Sequence, residues 1–142
     1  MTEVSYARTA YPCFRSITTR WMDNDIYGHI NNVQYYSYFD TVINQYLIEE
    51  GGLDIHAAEI IGVCIESKCT YRSPLAYPMT IEAGLRVGHL GNTSVRYEVG
   101  IFEETSETAA AAGYFVHVFV NRDGMEKTAI PPSVRQALQQ LS

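Results

Sequence analysis

The sequence predicts an α+β fold in which one antiparallel sheet curls around a single long helix. Two patterns predict this fold. A segment with helical periodicity occupies the first third of the chain, and four strand-like segments follow it without another long helix between them. One further strand-like segment precedes the helix. A five-stranded antiparallel sheet that covers the helix is therefore the economical layered arrangement.

The first predicted strand covers residues 13–21, CFRSITTRW, which are rich in β-branched and aromatic side chains. The next segment, MDNDIYGHINN, is rich in Asp, Asn and Gly, which favour turns and helix caps. From residue 32 to residue 50, apolar residues recur at spacings of three, four and seven, so we expect a long helix that ends at Gly51 and Gly52. Because this helix is apolar around much of its circumference, other structure should enclose most of it.

Four more strands are expected between residues 59 and 122, in IIGVCIESKCTYR, MTIEAGLRVG, TSVRYEVGIFEE and AAAAGYFVHVFVNR. Apolar and charged residues alternate in the second and third of these segments, which predicts one buried and one polar sheet face. Cys64 and Cys69 are an odd number of residues apart, so on one strand they should lie on opposite faces and not pair. The last segment, PPSVRQALQQL, predicts a short helix with proline in its first turn.

Length and charge limit the class of protein. A chain of 142 residues predicts one domain over residues 1–142. A net charge of -6 argues against a nucleic-acid partner. No apolar run is long enough to cross a bilayer, no N-terminal apolar signal segment is present, and the three cysteines lack metal-ligand spacing. We therefore expect a cytoplasmic protein without a membrane partner. An open sheet over one helix also predicts a homo-oligomer that pairs edges or covers the remaining apolar surface.

The residues with the clearest chemical meaning are DNDIYGHINN, residues 23–32, between the first strand and the long helix. Two carboxylates, a glycine, a histidine and an Asn-Asn pair lie within ten residues. A helix N-terminus presents unpaired N–H groups and a partial positive charge, which stabilise an oxyanion. A carboxylate just upstream can face the same bound carbonyl. Acyl transfer needs this combination of a nucleophile or base and an oxyanion site.

The pattern D-x-D-x-x-G-H-x-N-N, followed by VQYYSYFD, resembles the 4-hydroxybenzoyl-coenzyme A thioesterase family. Residues 71–103 resemble the family's second to fourth strands, and the likeness extends from about residue 14 to residue 121. The resemblance implies the hotdog fold, in which an antiparallel sheet wraps a central helix. It also implies hydrolysis of an acyl-coenzyme A (acyl-CoA) thioester by a dimer or tetramer with active sites at the subunit interface. Coenzyme A (CoA) would then be part of the substrate, and no cofactor or metal is expected.

By this resemblance Asp25 is the catalytic carboxylate, and the backbone N–H near Asn32 polarises the thioester carbonyl. His29 matches a position of the pattern and is expected beside them in the catalytic set. The residues leave open whether Asp25 attacks the carbonyl or takes a proton from an attacking water. Substrate contacts are expected from Asn31, Tyr35, Arg72, Thr93 and Ser94.

Simpler interpretations exist for several of these residues. Asp25 alone could cap a turn, His29 could be structural, and Asp23 is expected mainly to close the turn. Most aromatic residues of the helix should be core. A calcium loop starting at Asp23 would need Asp or Asn at its fifth position and Glu at its twelfth, which are Tyr27 and Gln34 here, so calcium is not expected.

Two other functions remain open from the sequence. One is a different hotdog enzyme, such as a hydratase or dehydratase acting on acyl thioesters. The other is a binding module that holds an acyl thioester without catalysis. A serine hydrolase is not expected, because the sequence contains no G-x-S-x-G elbow.

Overall fold

The computed structural model describes residues 3–142. Five strands form one antiparallel sheet in the spatial order β1-β3-β4-β5-β2. The sheet wraps the long helix α1, so the expected hotdog architecture is confirmed. The elements are β1 (Cys13–Thr18), α1 (Asn32–Glu49), β2 (Ile60–Tyr71), β3 (Thr80–Leu90), β4 (Ser94–Glu103), β5 (Ala111–Asn121) and α2 (Pro132–Gln139).

Helix α1 agrees with its predicted bounds to within one residue. Gly51 and Gly52 follow it, and Gly52 has a φ of +68°, a conformation that glycine adopts without steric cost. Seven side chains of α1 are buried, and they pack against the sheet: Tyr35, Tyr38, Phe39, Val42, Ile43, Tyr46 and Leu47.

The expectation that other structure encloses most of α1 is wrong for the single chain. Ser37, Asp40 and Thr41 are exposed on the side of α1 away from the sheet. These polar residues recur at spacings of three and four, so they form a stripe along one side of the helix. The helix is therefore amphipathic in the monomer, with one side in the core and one in solvent.

The expectation of one polar sheet face is also wrong, because β4 is buried on both faces. The segment before β1 crosses the outer face, where Tyr11 packs in a second small core with Phe102 and Ala109. Gly84 and Gly100 make room for this contact. A Cβ atom on Gly84 would lie 2.9 Å from the Tyr11 side chain, and one on Gly100 would lie 3.0 Å from it.

A β-bulge between Cys64 and Glu66 changes which side chains of β2 face α1. Cys64 pairs with His117 and Cys69 pairs with Gly113, so both cysteines lie on the same sheet face. The predicted opposite placement is wrong, because the bulge adds a residue to the alternation. Both thiols are nevertheless free, as expected.

Downstream of the bulge, β2 sends Cys69 and Tyr71 toward α1 and Lys68 and Thr70 to the outer face. The sheet therefore has two chemically different faces at its β2 edge.

Among residues 3–142, no helix is both long and apolar enough to cross a membrane.

Candidate active site

The loop between β1 and α1 is held by the buried carboxylate of Asp23. This carboxylate accepts hydrogen bonds from the Tyr38 hydroxyl at 2.7 Å, the Arg20 backbone N–H at 3.0 Å and the Arg20 guanidinium at 2.9 Å. The bonds close a short 3-10 turn over Trp21–Asp23, so β1 ends at Thr18 and not at residue 21 as predicted. Burial opposes ionisation of Asp23, but the hydrogen bonds outweigh it and lower the pKa of its carboxyl.

Asp23 also joins the two ends of the loop through its backbone. Its carbonyl oxygen accepts the N–H of Asn31 at 2.9 Å, directly before α1. The side chain of Asp23 faces inward and is fully buried, with no path to a substrate. The structural role expected for Asp23 agrees with these contacts.

Asp25 lies in a tight turn inside this loop. Its N–H donates to the His29 carbonyl at 2.9 Å, and its Oδ1 accepts the N–H of Tyr27 at 2.9 Å. Gly28 has a φ of +85°, which allows the chain to reverse within these few residues. The other carboxylate oxygen of Asp25, Oδ2, makes no hydrogen bond to any residue in the range 3–142. The turn therefore uses one oxygen of Asp25 and leaves the other without a hydrogen bond to residues 3–142.

The N-terminus of α1 faces the same region. The Asn31 side chain caps the helix by accepting the N–H of Val33 at 3.2 Å, and the Asn31 carbonyl accepts the N–H of Gln34 at 2.9 Å. The N–H of Asn32 has no acceptor in the described part of the chain. An unpaired helix N–H is suited to bind a negatively charged oxygen.

These groups line one open cleft of about 390 Å³. The Ile30 N–H donates to the Leu75 carbonyl at 2.8 Å, and this bond joins the loop to the segment that follows β2. The cleft therefore has the loop and the start of α1 on one side and the residues after β2 on the other. Six of the eight predicted site residues line it: Asp25, His29, Asn31, Asn32, Tyr35 and Arg72.

The structure does not bring Thr93 and Ser94 to this cleft. They lie at the start of β4, whereas the cleft adjoins the opposite end of the sheet, where Arg72 donates its N–H to the Ala110 carbonyl at 2.8 Å. Their predicted contact with substrate would need a second subunit to bring them there, and it stays a prediction.

The cleft is also lined by Tyr71, Ser73 and Pro74, for which no sequence pattern predicted a role. The Tyr71 hydroxyl donates to the Asn32 carbonyl at 3.1 Å, and its ring packs edge-on against Tyr35 at 5.0 Å. Burial raises the pKa of Tyr35 to about 12, so this phenol is a neutral hydrogen-bonding group at physiological pH. The only sequence signal for this side of the cleft is the Ser-Pro turn pair after a strand. The contacts that bring these residues to the loop join segments that are distant in sequence.

The buried histidine of the sheet, His117, takes no part in this site. His117 lies in the core with its ring 4.9 Å from that of Tyr97. Burial lowers the pKa of His117 to about 4, so it is neutral.

Within residues 3–142, no group of three or more His, Cys, Asp and Glu side chains is arranged to hold a metal ion.

The cleft thus combines a carboxylate oxygen, an unpaired helix N–H and a neutral phenol. A carbonyl bound between Asp25 and Asn32 would have its oxygen at a preorganised donor and its carbon open to attack. Acyl transfer from an ester or thioester uses this combination of groups.

Residues 19–138 match the family model described as the thioesterase-like superfamily. The chain therefore belongs to the thioesterase-like superfamily, and this membership supports a thioester hydrolase. A comparison with curated protein sequences gives no significant match.

Several solved structures are similar over nearly the whole chain. The PA5185 protein from Pseudomonas aeruginosa is 54% identical, with a TM-score of 0.96 over 97% of this chain and 96% of that one. The PA2801 protein from Pseudomonas aeruginosa is 27% identical, with a TM-score of 0.82 over 96% and 99%. Slr0204, a 1,4-dihydroxy-2-naphthoyl-CoA thioesterase from Synechocystis, is 14% identical, with a TM-score of 0.81 over 90% and 96%, and this likeness shows the fold alone.

The different surroundings of the two aspartates predict different effects on stability. Asp23→Asn removes a buried charge from three donors, so the free energy of unfolding should fall by about 2–4 kcal/mol. Asp25→Asn keeps an oxygen for the Tyr27 N–H at a half-buried position, so the change should be below about 1 kcal/mol. Urea denaturation followed by circular dichroism measures both values, and equal losses in the two variants would contradict these assignments.

Proposed function

We propose that this protein hydrolyses an acyl-CoA thioester to the free acid and CoA, as the resemblance to the 4-hydroxybenzoyl-CoA thioesterase family implies. One observation carries the proposal. The free carboxylate oxygen of Asp25 and the unpaired N–H of Asn32 line the same cleft. Membership in the thioesterase-like superfamily supports the same class of reaction.

The thioester carbonyl oxygen binds the N–H of Asn32, which stabilises the oxyanion of the tetrahedral intermediate. In one route, an Asp25 oxygen forms a bond to the carbonyl carbon, the CoA thiolate leaves, and water hydrolyses the resulting anhydride. In the other, Asp25 takes a proton from water as the hydroxide attacks, and the departing thiolate accepts that proton. Water is the only co-reactant in either route, so we propose no cofactor or metal.

His29, Asn31 and Tyr35 then shape the cleft around the acyl group. His29 lies in the exposed part of the turn, and its carbonyl fixes the backbone of Asp25. Tyr35 is buried below the cleft and presents an apolar ring with a neutral hydroxyl. We propose that these residues position the substrate while Asp25 and Asn32 carry the chemical step.

We further propose that the active assembly is a homodimer or homotetramer whose partner subunit completes the cleft. Within residues 3–142, strand β2 is an edge strand of 12 residues that pairs with β5 alone, and the side chain of Ile65 on it is 62% exposed. Large apolar side chains around the Asp25 loop are exposed as well, among them Trp21, Ile26 and Tyr27. A second copy would cover both features.

The replacement Asp25→Asn tests the central assignment. It keeps the shape of the side chain but removes the negative charge, so kcat for acyl-CoA hydrolysis should fall at least about 100-fold. Thiol release from a panel of acyl-CoA esters, with short, branched, long and aromatic acyl groups, measures the rate. Asp40→Asn is the matched control, because Asp40 is exposed on the opposite side of α1 and should leave the rate unchanged.

Three outcomes of this assay are informative. Equal turnover in the parent and Asp25→Asn would show that Asp25 is not the catalytic carboxylate. A parent that binds acyl-CoA without turnover would favour the binding module. No free acid, with an enoyl-CoA included in the panel converted to its hydroxyacyl-CoA, would favour a hydratase.

Sedimentation velocity tests the proposed assembly. The parent should sediment as a dimer or tetramer, and Ile65→Lys should shift it toward monomer and lower kcat/KM, because an edge charge opposes strand pairing. Ile55→Lys places the same charge at another exposed isoleucine, outside the sheet, and should change neither property. A fully active monomer would contradict the proposal.

A further inference from the structure

A second pocket lies on the outer face of the sheet, next to the Asp25 cleft. It encloses about 250 Å³, the volume of roughly eight liquid water molecules. We name it the cationic pocket, after the three positively charged side chains that line it, Lys68, Arg72 and Arg96. Thr70 and Tyr114 complete its sheet wall, and residues before β1 cover one side.

The three cations of this pocket differ in their ion pairing. Neither Lys68 nor Arg72 has a carboxylate within ion-pair distance among residues 3–142. Arg96 pairs with Glu98 at 3.1 Å, but Glu98 is shared with Arg86 at 3.5 Å, so one carboxylate serves two guanidinium groups. Lys68 and Arg72 therefore place two positive charges at this pocket without an ion pair to residues 3–142, on a chain whose net charge is -6.

Two further acidic side chains, Glu66 and Glu3, lie near the pocket. Glu66 accepts a hydrogen bond from the Tyr114 hydroxyl at 2.6 Å. Glu3 lines the pocket with an exposed side chain, where water screens its charge. With Glu98, three carboxylates thus lie near the three cations, but neither Lys68 nor Arg72 forms an ion pair with any of them.

The two arginines are held in defined orientations. The Arg72 guanidinium stacks on the Tyr6 ring at 3.6 Å, and that of Arg96 stacks on the Tyr114 ring at 3.9 Å. Arg96 is also only 6% exposed, so its packing restricts it to few conformations. A guanidinium group stacked on an aromatic ring lies parallel to that ring. Its N–H groups then point outward in the guanidinium plane, where they can bind the oxygens of a phosphate.

Arg72 connects the cationic pocket to the Asp25 cleft, because its side chain lines both. The connection follows from the alternation of β2. Tyr71 faces α1 and the cleft, Lys68 and Thr70 face the outer surface, and Arg72 lies where the strand ends between the two. A ligand that reaches from one pocket to the other would pass this residue.

We propose that the cationic pocket binds a phosphate group of the substrate's CoA moiety while the thioester lies at Asp25. This inference rests on the proposed function. CoA carries its phosphates at one end and its sulfur at the other, so a phosphate site beside the cleft suits such a substrate. Lys68 supplies an ammonium group on an exposed side chain, and Arg72 supplies guanidinium donors that its stacking on the Tyr6 ring orients. The pocket thereby favours CoA thioesters over thioesters without phosphate.

The test compares two substrates in three proteins. The parent, Lys68→Gln and Lys127→Gln are each assayed with an acyl-CoA and with the same acyl group on pantetheine, which has no phosphate. In Lys68→Gln, the ratio of kcat/KM for acyl-CoA to that for acyl-pantetheine should fall about tenfold, through a higher KM for acyl-CoA. Lys127→Gln removes the only other lysine of the chain and should keep the parent ratio.

Adenosine 3′,5′-bisphosphate is a probe for the pocket that does not need turnover. It should inhibit acyl-CoA hydrolysis competitively, and its dissociation constant, measured by calorimetry, should rise about tenfold in Lys68→Gln. An unchanged substrate ratio together with unchanged probe binding would overturn the proposal. Equal inhibition of acyl-pantetheine hydrolysis would also overturn it, since the pocket would then take a free phosphate compound as an effector.

Failure of the proposed function would look different. A parent without turnover of either thioester, or Asp25→Asn with full turnover, would refute the proposed chemistry. Probe binding that is lost in Lys68→Gln and kept in Lys127→Gln would still support the phosphate site in that case.

Discussion

The site depends on the buried carboxylate of Asp23. An ionised carboxylate inside a protein costs several kcal/mol unless charge-assisted hydrogen bonds offset the loss of water. Asp23 obtains these bonds from Arg20 and from Tyr38 on α1, so the loop before the helix is tied to the helix itself. Its backbone carbonyl then holds Asn31, the residue that caps α1. With both ends fixed, the turn between them can present Asp25 and the N–H of Asn32 toward one cleft.

Most of the fold followed from local sequence patterns. The spacing of apolar residues gave the length of α1, and Gly51 and Gly52 marked its end. The strand segments were also located well, because their alternation and turn residues are local features. What local patterns did not predict was the covering of the outer sheet face. Tyr11 packs over Gly84 and Gly100, and neither glycine signals in the sequence that a distant tyrosine will lie on it.

The part of the site that one continuous segment of sequence forms was predicted. Asp25, His29, Asn31 and Asn32 are neighbours in the chain, and the helix start explains why they converge. The opposite wall, with Tyr71 and Ser73, comes from the end of β2 and depends on long-range pairing. The bulge in β2 shows the same limit, since one added residue reversed the expected placement of Cys64 relative to Cys69.

The bulge and the edge position of β2 also explain how two kinds of chemistry come close together. One face of the strand contributes aromatic and thiol side chains to the region next to α1, and the other contributes Lys68 and Thr70 to the outer surface. Arg72 follows at the end of the strand and borders both. A single strand thereby separates a cleft suited to an acyl group from a pocket suited to a phosphate.

The most direct test is a crystal structure of the Asp25→Asn protein with an intact acyl-CoA. We expect the thioester carbonyl oxygen to lie about 3 Å from the backbone nitrogen of Asn32, with the carbonyl carbon facing the side chain at position 25. A thioester bound outside this cleft, or a carbonyl oxygen held by donors other than the start of α1, would contradict it.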